Sequence, residues 1–275
     1  MQIGVGDLSF SVRIAGAEDA RPVLLLHGFP QSSRCWARVT PVLTGAGLRT
    51  IAPDQRGYSP GARPVAVSAY AIPELVADAI GILDALELSA VDVVGHDWGS
   101  YVAWHLAERH PERVRSLTAI SVPHPAAFSE AMAGDPDQQQ RSAYIGLFRE
   151  EGKAEHVLLA DDARRLRRVF ADSGLSEDEV ADYVEPLRVA GALTATLSWY
   201  RAMSRHDAAL GPVSVPTTFV WSDEDAAVGR TAAAACEQHV SGPYQFVELA
   251  GVSHWVPEQA PVALAEAVLA QVAAT

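Results

Sequence analysis

The chain has 275 residues, 49% of them hydrophobic, enough for one large domain or for a core with an inserted segment. A net charge of −13 disfavours nucleic acid and anionic membranes as partners, because both are negatively charged. No apolar run approaches the roughly 20 residues needed to span a bilayer, and the N-terminus lacks a signal-peptide pattern. We therefore expect a cytoplasmic protein in which Cys35 and Cys236 are free thiols.

Short apolar runs alternate with longer amphipathic stretches along most of the chain. This rhythm predicts an α/β fold with a mostly parallel central sheet flanked by helices. The predicted strands cover residues 8–14, 23–26, 48–52, 91–94, 116–122, 217–221 and 244–249. The predicted helices include residues 73–86, 100–110 and 261–273.

The alternation breaks between Pro123 and Pro212 and resumes at Thr217. The intervening stretch has no strand-like run, but it contains charged, helix-forming segments at 161–170 and 177–187. A continuation of the α/β core would show further strand-like runs there. We therefore predict a helical cap at 123–212, inserted into an α/β-hydrolase-type core formed by 1–122 and 213–275.

The predicted strand at 91–94 leads directly into Gly95-His96-Asp97-Trp98-Gly99-Ser100, which is followed by a helix. This strand–turn–helix context is typical of a nucleophile elbow, in which a strained turn lifts the central side chain above the sheet. The flanking glycines leave room where the two arms of the turn approach each other. Asp97 is the predicted nucleophile; the alternative is an ordinary helix N-cap, a position that aspartate favours.

Two backbone N–H groups are candidates for an oxyanion hole. One belongs to Phe29 in the loop His27-Gly28-Phe29-Pro30, which follows the strand at 23–26. The other belongs to Trp98, the residue after the nucleophile. We expect His27 to orient this loop rather than to take part in the chemistry.

A catalytic histidine is expected late in the chain, after the last strand. His254 in Gly251-Val252-Ser253-His254-Trp255 has this position. An acid should hold its imidazole in one tautomer. Three carboxylates compete after the strand at 217–221, of which Asp225 is preferred and Asp223 comes second, with Glu224 between them.

The identity of the nucleophile limits the reaction. A carboxylate that attacks a saturated carbon forms an ester, which water can then cleave, whereas a serine would form a stable ether. Asp97 is ionised near neutral pH and needs no general base for its attack. His254 is then available to activate water for the second step. This scheme predicts substitution at a carbon that carries an epoxide oxygen or a halide, with no cofactor and no metal.

The sequence resembles the epoxide hydrolases of the α/β-hydrolase superfamily over most of its length. Besides the elbow, the loop at Phe29 and the segment around His254, the resemblance includes Asp54-Gln55-Arg56-Gly57-Tyr58 and Ser121-Val122-Pro123-His124-Pro125. It implies that a small apolar epoxide and water give a vicinal diol. It also implies two cap tyrosines that protonate the epoxide oxygen. Tyr200, in Leu197-Ser198-Trp199-Tyr200-Arg201, matches the second of these, while Tyr144 is preferred over Tyr183 as the first.

The alternative function is that of a haloalkane dehalogenase, which shares the Asp–His–Asp machinery and the tryptophan after the nucleophile. Trp98 could donate its indole N–H to a halide, but this chain has Phe29 where many such enzymes have an asparagine as the second donor. A non-catalytic protein on the same fold is disfavoured by the complete set of catalytic residues. The sequence leaves open the physiological substrate, the regiochemistry and whether the protein is a monomer or a homodimer.

Overall fold

The computed structural model describes residues 1–275, except for the side chain of Arg205. Its strands form one sheet in the order β1-β2-β4-β3-β5-β6-β7-β8. The pairs β1–β2 and β2–β4 are antiparallel, and all the other neighbouring pairs are parallel. The strands are β1 (Gln2–Val5), β2 (Leu8–Ala15), β3 (Arg21–Leu26), β4 (Leu48–Pro53), β5 (Val91–His96), β6 (Val114–Ile120), β7 (Thr217–Glu224) and β8 (Tyr244–Ser253).

Helices flank the sheet, and six of them lie in the segment between β6 and β7. None of the described helices is both long and apolar enough to cross a membrane. They are α1 (Thr40–Gly45), α2 (Ile72–Ala85), α3 (Trp98–Arg109), α4 (Pro125–Gly134), α5 (Pro136–Arg141), α6 (Tyr144–Phe148), α7 (Lys153–Arg168), α8 (Glu177–Arg188), α9 (Ala192–Ala202), α10 (Arg230–Ala235), α11 (Val256–Gln259) and α12 (Pro261–Ala273). Helix α7 is interrupted at residues 160–163, where the backbone leaves the right-handed helical region.

The predicted α/β fold with a mostly parallel sheet is confirmed. Each of the predicted strands is present, although β8 runs on to Ser253 and so ends directly before His254. Strand β1 was not predicted. It is a short edge strand joined to β2 by a tight turn at Gly6 and Asp7, a glycine–aspartate pair of the kind that favours two-residue hairpins.

The centre of the sheet is buried on both faces, which explains why its strands read as continuous apolar runs. All residues of β5 are buried, including Asp92. This carboxylate accepts two hydrogen bonds from Arg21, at 2.6 and 2.8 Å, and one from Ser116 at 2.7 Å. A buried charge is tolerated when it is paired and hydrogen-bonded in this way.

Helices α4 to α9 occupy the stretch between β6 and β7 that was predicted as a cap, and we call them the helical insertion. Helix α9 is tied to the core because the indole N–H of Trp199 donates to the carbonyl oxygen of Arg56 at 2.9 Å. At Gly57, which has a φ of +89°, an added Cβ would lie 3.1 Å from the backbone of Ala195. Gly57 therefore allows both the turn and the close approach of the helix that carries Tyr200.

Candidate active site

Asp97 is the single residue between the end of β5 and the start of α3, and it has φ +53° and ψ −120°. The tight turn depends on the two glycines of the motif. A Cβ on Gly95 would lie 2.3 Å from the carbonyl oxygen of Gly99, and a Cβ on Gly99 would lie 2.0 Å from that of Leu26. Only glycine fits these positions, so the turn presents Asp97 above the carboxyl end of the sheet.

The loop after β3 reaches over this carboxylate. The backbone N–H of Phe29 donates to Oδ1 of Asp97 at 2.7 Å, and the backbone N–H of Trp98 also stabilises the ionised carboxylate. Of the two predicted oxyanion-hole donors, the N–H of Phe29 therefore bonds Asp97 directly, and the N–H of Trp98 lies beside it. Sequence reasoning missed Gly28, where an added Cβ would lie 2.1 Å from Oδ1. The glycine after His27 was the available signal, since close approach to a functional group is one reason for a glycine.

His254 lies between two carboxylates. Its Nε2 is 3.6 Å from Oδ2 of Asp97, and its Nδ1 is 3.0 Å from each carboxylate oxygen of Asp225. Asp225 is fully buried, and its Oδ1 also accepts hydrogen bonds from the backbone N–H groups of Ala227 and Val228. Of the carboxylates that the sequence left in competition, Asp225 is the one that contacts the imidazole. Asp223 is exposed and accepts instead from the N–H of Gly251.

These contacts set the charges of the three side chains. Burial alone would raise the pKa of Asp97, but hydrogen bonding and attraction to His254 hold it below its ordinary value. The pKa of Asp225 is lowered because attraction to His254 likewise outweighs burial. Burial alone would lower the pKa of His254, but the two carboxylates raise it to about 10. At neutral pH the free enzyme therefore holds an imidazolium between two carboxylates.

His27, which was expected to orient the loop after β3, is hydrogen-bonded through both ring nitrogens. Its Nδ1 lies 2.9 Å from the carbonyl oxygen of Gly28, and its Nε2 accepts a hydrogen bond from the backbone N–H of Gln55. The side-chain amide of Gln55 donates back to the carbonyl oxygen of His27 at 2.6 Å. Both nitrogens of this ring are thus occupied within the loop scaffold.

The helical insertion places Tyr200 and Tyr144 in cavities that Asp97 also lines. Their ring centroids are 6.2 Å apart, and the ring of Tyr200 lies 5.1 Å from that of Trp98. Tyr200 is 2% exposed, whereas Tyr144 is 37% exposed and only its hydroxyl side faces the cavity with Asp97. Desolvation of the hydroxyl and the negative charge of Asp97 raise the pKa of both phenols, so both are protonated at neutral pH. Tyr183 lies elsewhere, because its hydroxyl donates to Glu258 at 3.1 Å and its ring stacks on Phe170.

Two adjoining cavities of about 280 and 40 Å³ meet at Asp97, and both are also lined by Tyr144, Tyr200 and Ala227. The larger one extends to His254 and Asp172. The smaller one is lined mainly by apolar side chains: Trp98, Val122, Phe128, Ile145, Met203 and Val228. This arrangement suits a small, largely apolar molecule whose reactive atom lies against the carboxylate.

A second group of buried polar side chains lies behind His254 and was not predicted. It consists of His96, Gln31 and Glu258, which are joined by hydrogen bonds. His96 lies inside the elbow motif, and Gln31 directly follows the loop at Phe29. Glu258 gave only a weak signal, because a lone glutamate in a helical pattern is usually exposed.

Comparison with known proteins identifies the superfamily of the chain. Residues 21–261 match the family model of the alpha/beta hydrolase fold. The chain is 35% identical to the AB hydrolase superfamily protein YfhM of Bacillus subtilis, over 97% of this chain and 95% of that protein. It is 33% identical to epoxide hydrolase A of Mycobacterium tuberculosis, over 93% of this chain and 91% of that protein.

Among solved structures, one from work on novel epoxide hydrolases in metagenomes from hot environments superposes with a TM-score of 0.89 and 28% identity. The match covers 100% of this chain and 98% of the other. Epoxide hydrolase A of Mycobacterium thermoresistibile gives a TM-score of 0.86 and 27% identity, over 99% and 97% of the two chains. The chain is therefore an enzyme of the α/β-hydrolase superfamily and belongs to its epoxide hydrolase family.

Proposed function

We propose that this enzyme opens an epoxide to a vicinal diol through a covalent ester on Asp97. The observation that carries the proposal is the placement of a carboxylate, rather than a hydroxyl, at the elbow, in a cavity that two protonated tyrosines also line. Membership of the epoxide hydrolase family and the names of the relatives support the same reaction. The substrates are a small apolar epoxide and water.

In the first step Oδ2 of Asp97 attacks an epoxide carbon, because Oδ1 is held by the N–H of Phe29. A carbon–oxygen bond forms as the ring carbon–oxygen bond breaks. The leaving oxygen is a strong base and takes a proton from Tyr200 or Tyr144. The products of this step are a hydroxyalkyl ester and one tyrosinate.

The ester changes the charge balance around His254. Esterification removes the negative charge of Asp97, which was one of the causes of the raised pKa of His254. The imidazolium then passes its proton to the tyrosinate, which restores the phenol and leaves a neutral imidazole. This order explains how a histidine that is charged in the free enzyme becomes a general base when one is needed.

In the second step neutral His254 takes a proton from water, and the hydroxide adds to Cγ of the ester. The negative charge that develops on Oδ1 is stabilised by the N–H groups of Phe29 and Trp98. Collapse breaks the bond between Cγ and the ester oxygen, and the departing alkoxide takes the proton of the added hydroxyl. The diol leaves, and the imidazolium and both carboxylates are restored.

Halide displacement is less well supported. The indole of Trp98 interacts with the side chain of Tyr200, which also packs on the ring of Phe29 with centroids 5.5 Å apart. A halide would therefore find a tyrosine beside Trp98, and a phenylalanine at the position of the expected second N–H donor. A phenol beside the carboxylate can protonate the leaving oxygen of an epoxide. A halide leaves without a proton and would gain nothing from that contact.

The function is tested with His254→Gln and a panel of aryl and alkyl epoxides, with matched haloalkanes and esters. Because the carboxylate needs no base, the variant should still be alkylated by an epoxide and then stall. Intact-mass measurement should show one equivalent of adduct, located on the peptide that contains Asp97. Asp97→Asn is the control and should form no adduct. Turnover of haloalkanes in preference to epoxides by the wild type would assign the enzyme to the alternative.

A further inference from the structure

A chain of hydrogen bonds leads from the backbone of His254 into the protein interior. The carbonyl oxygen of His254 lies 2.8 Å from Nε2 of His96. Nδ1 of His96 lies 2.9 Å from the side-chain oxygen of Gln31, and the amide nitrogen of Gln31 lies 2.6 Å from Oε1 of Glu258. Glu258 is only 3% exposed, and Tyr183 donates to the same oxygen.

The donors and acceptors of this chain do not balance if Glu258 is ionised. With the amide of Gln31 as assigned, both ring nitrogens of His96 face oxygen acceptors. A neutral imidazole has a single N–H, so one contact would place two lone pairs against each other at less than 3 Å. Only an imidazolium could satisfy both contacts, and burial together with the charge on His254 lowers the pKa of His96 to about 4.

Reversing the amide of Gln31 removes the conflict, since its two ends are distinguished by hydrogen bonding rather than by shape. The amide N–H then donates to Nδ1 of His96, and Nε2–H of His96 donates to the carbonyl oxygen of His254. The oxygen of Gln31 then faces Oε1 of Glu258, so Glu258 must carry a proton. Every polar contact in the chain then pairs a donor with an acceptor.

We propose that Glu258 is a positioning residue whose carboxyl carries one proton in this chain of hydrogen bonds. Because Glu258 is protonated, His96 stays neutral and holds the backbone of His254 through Nε2–H. The alternative arrangement moves the proton to His96 and requires a half-turn of the amide of Gln31. Atoms and charge balance in either case, because a carboxyl and a neutral imidazole become a carboxylate and an imidazolium. The kinetic consequence rests on the proposed role of His254, whereas the protonation state of the chain does not.

The surroundings of Glu258 agree with a protonated carboxyl. Burial raises the pKa of Glu258 to about 7, although the hydrogen bonds from Gln31 and Tyr183 and the positive charge of His254 act to lower it. Among the described side chains, Oε2 has no hydrogen-bond partner. The guanidinium of Arg38 bonds the backbone oxygen of Glu258 and not its carboxylate. The other titratable groups around it, from β2, the turn before α1 and helix α8, are Arg13, Arg34, Cys35, Glu179 and Tyr183.

Glu258 can exchange its proton without opening the active site. It lines a separate cavity of about 280 Å³ that shares no lining residue with the two cavities at Asp97. Such a volume holds several water molecules. The protonation state of Glu258 thus follows the pH of the solvent even when substrate fills the site.

The chain bears directly on the imidazole that activates water. The rings of His96 and His254 are 4.9 Å apart, and the carbonyl oxygen of His254 also accepts from the N–H of Val256. Loss of the proton from Glu258 would either loosen this anchor or place a positive charge beside His254. Either change should slow hydrolysis of the ester more than its formation.

The protonation state is tested first without substrate. Nitrogen chemical shifts of 15N-histidine-labelled enzyme identify the tautomer of His96, with its signals assigned from their loss in His96→Asn. The expected result at pH 6 is a neutral ring with its proton on Nε2. A ring protonated on Nδ1, or a cation, would overturn the proposal whatever the substrate of the enzyme is.

The second test compares Glu258→Gln, Glu258→Leu and Glu179→Gln by the rate of ester hydrolysis in single turnovers from pH 5 to pH 9. Glu179 lines the same cavity and caps helix α8, a role that glutamine preserves, so its variant controls for the lost charge. An amide at 258 replaces the protonated carboxyl as a donor to Gln31. Glu258→Gln should therefore stay within about two-fold of wild type at pH 6, whereas Glu258→Leu should be about five- to ten-fold slower.

The shape of the pH profile decides the outcome. Wild type and Glu179→Gln should lose hydrolysis rate as the pH rises above about 7, the pKa of the Glu258 carboxyl in the free enzyme, and Glu258→Gln should not. The decline lies above that value in the ester, because neutral His254 no longer lowers the pKa of Glu258. A glutamine variant as slow as the leucine variant would mean that the carboxylate is required, and the proposal would fail. It would also fail if Glu258→Gln kept the alkaline decline of the wild type.

Discussion

The backbone N–H of Phe29 donates to Oδ1 of Asp97 at 2.7 Å in the free enzyme. The donor that is expected to stabilise the oxyanion of the second step is therefore in place before substrate binds. Preorganisation of this kind avoids a reorganisation cost at the moment of reaction. It also distinguishes the two carboxylate oxygens, because Oδ1 is held while Oδ2 lies nearest to His254, at 3.6 Å from its Nε2.

That distinction predicts how isotope moves through Asp97. In 18O-water, a single turnover with excess enzyme should give a diol whose new oxygen is 16O, because it comes from Oδ2. A fraction of the peptide that contains Asp97, equal to the amount of substrate turned over, should gain about 2 Da, since the oxygen of water enters the carboxylate when the ester is cleaved. His254→Gln should show neither change. A first-turnover diol that carries 18O, with an unlabelled peptide, would indicate direct attack by water.

The two tyrosines should act mainly on formation of the ester. General acid assistance is typically worth about 10²–10⁴-fold, so Tyr200→Phe and Tyr144→Phe should each slow alkylation by an epoxide. The double variant should be nearly inert, while alkylation by a matched haloalkane should change little. Tyr70→Phe is the control, because that hydroxyl bonds the carbonyl oxygen of Pro64 and lies outside the cavities at Asp97. Full pre-steady-state alkylation by an epoxide in the double variant would contradict these roles.

Sequence reasoning succeeded where a residue's neighbours along the chain determine its setting. The elbow at Asp97 is an example, since the strand, both glycines and the helix are contiguous. It preferred Asp225 but left Asp223 as an alternative, because the choice depends on which residue at the end of β7 turns inward toward His254. It missed Glu258, whose significance comes from contacts with Gln31 and Tyr183, which are distant along the chain. Such long-range pairing leaves no periodic pattern.

The C-terminus of α2 offers a change in stability that should leave catalysis untouched. Glu87 is exposed and has a φ of +57°, in a turn where the N–H of Leu88 bonds the carbonyl oxygen of Leu83. Glycine is favoured at this position, so Glu87→Gly should raise the free energy of unfolding by about 0.5–1 kcal/mol in urea denaturation. Ala77→Gly, at an exposed site inside the same helix, should lower it by about 1 kcal/mol. Destabilisation by both changes would contradict the left-handed turn.

Stability should also depend on pH through Glu258. Its pKa in the folded enzyme is about 7, above the ordinary value of 4.5. Between these two values the unfolded chain loses this proton while the folded enzyme keeps it, so the stability due to Glu258 is present below pH 4.5 and is lost as the pH rises to about 7. Glutamine has no proton to lose at this position. The free energy of unfolding of Glu258→Gln minus that of wild type should therefore increase by on the order of 3 kcal/mol from pH 4 to pH 8. Urea denaturation across this range measures the difference.

The control for this pH dependence is Glu179→Gln, which should show the opposite trend, because hydrogen bonds from Ser176 and Arg38 lower the pKa of Glu179 and favour its ionised form in the folded enzyme. A difference between Glu258→Gln and wild type that stays constant across this pH range would mean that Glu258 ionises in the folded enzyme as it does in the unfolded chain.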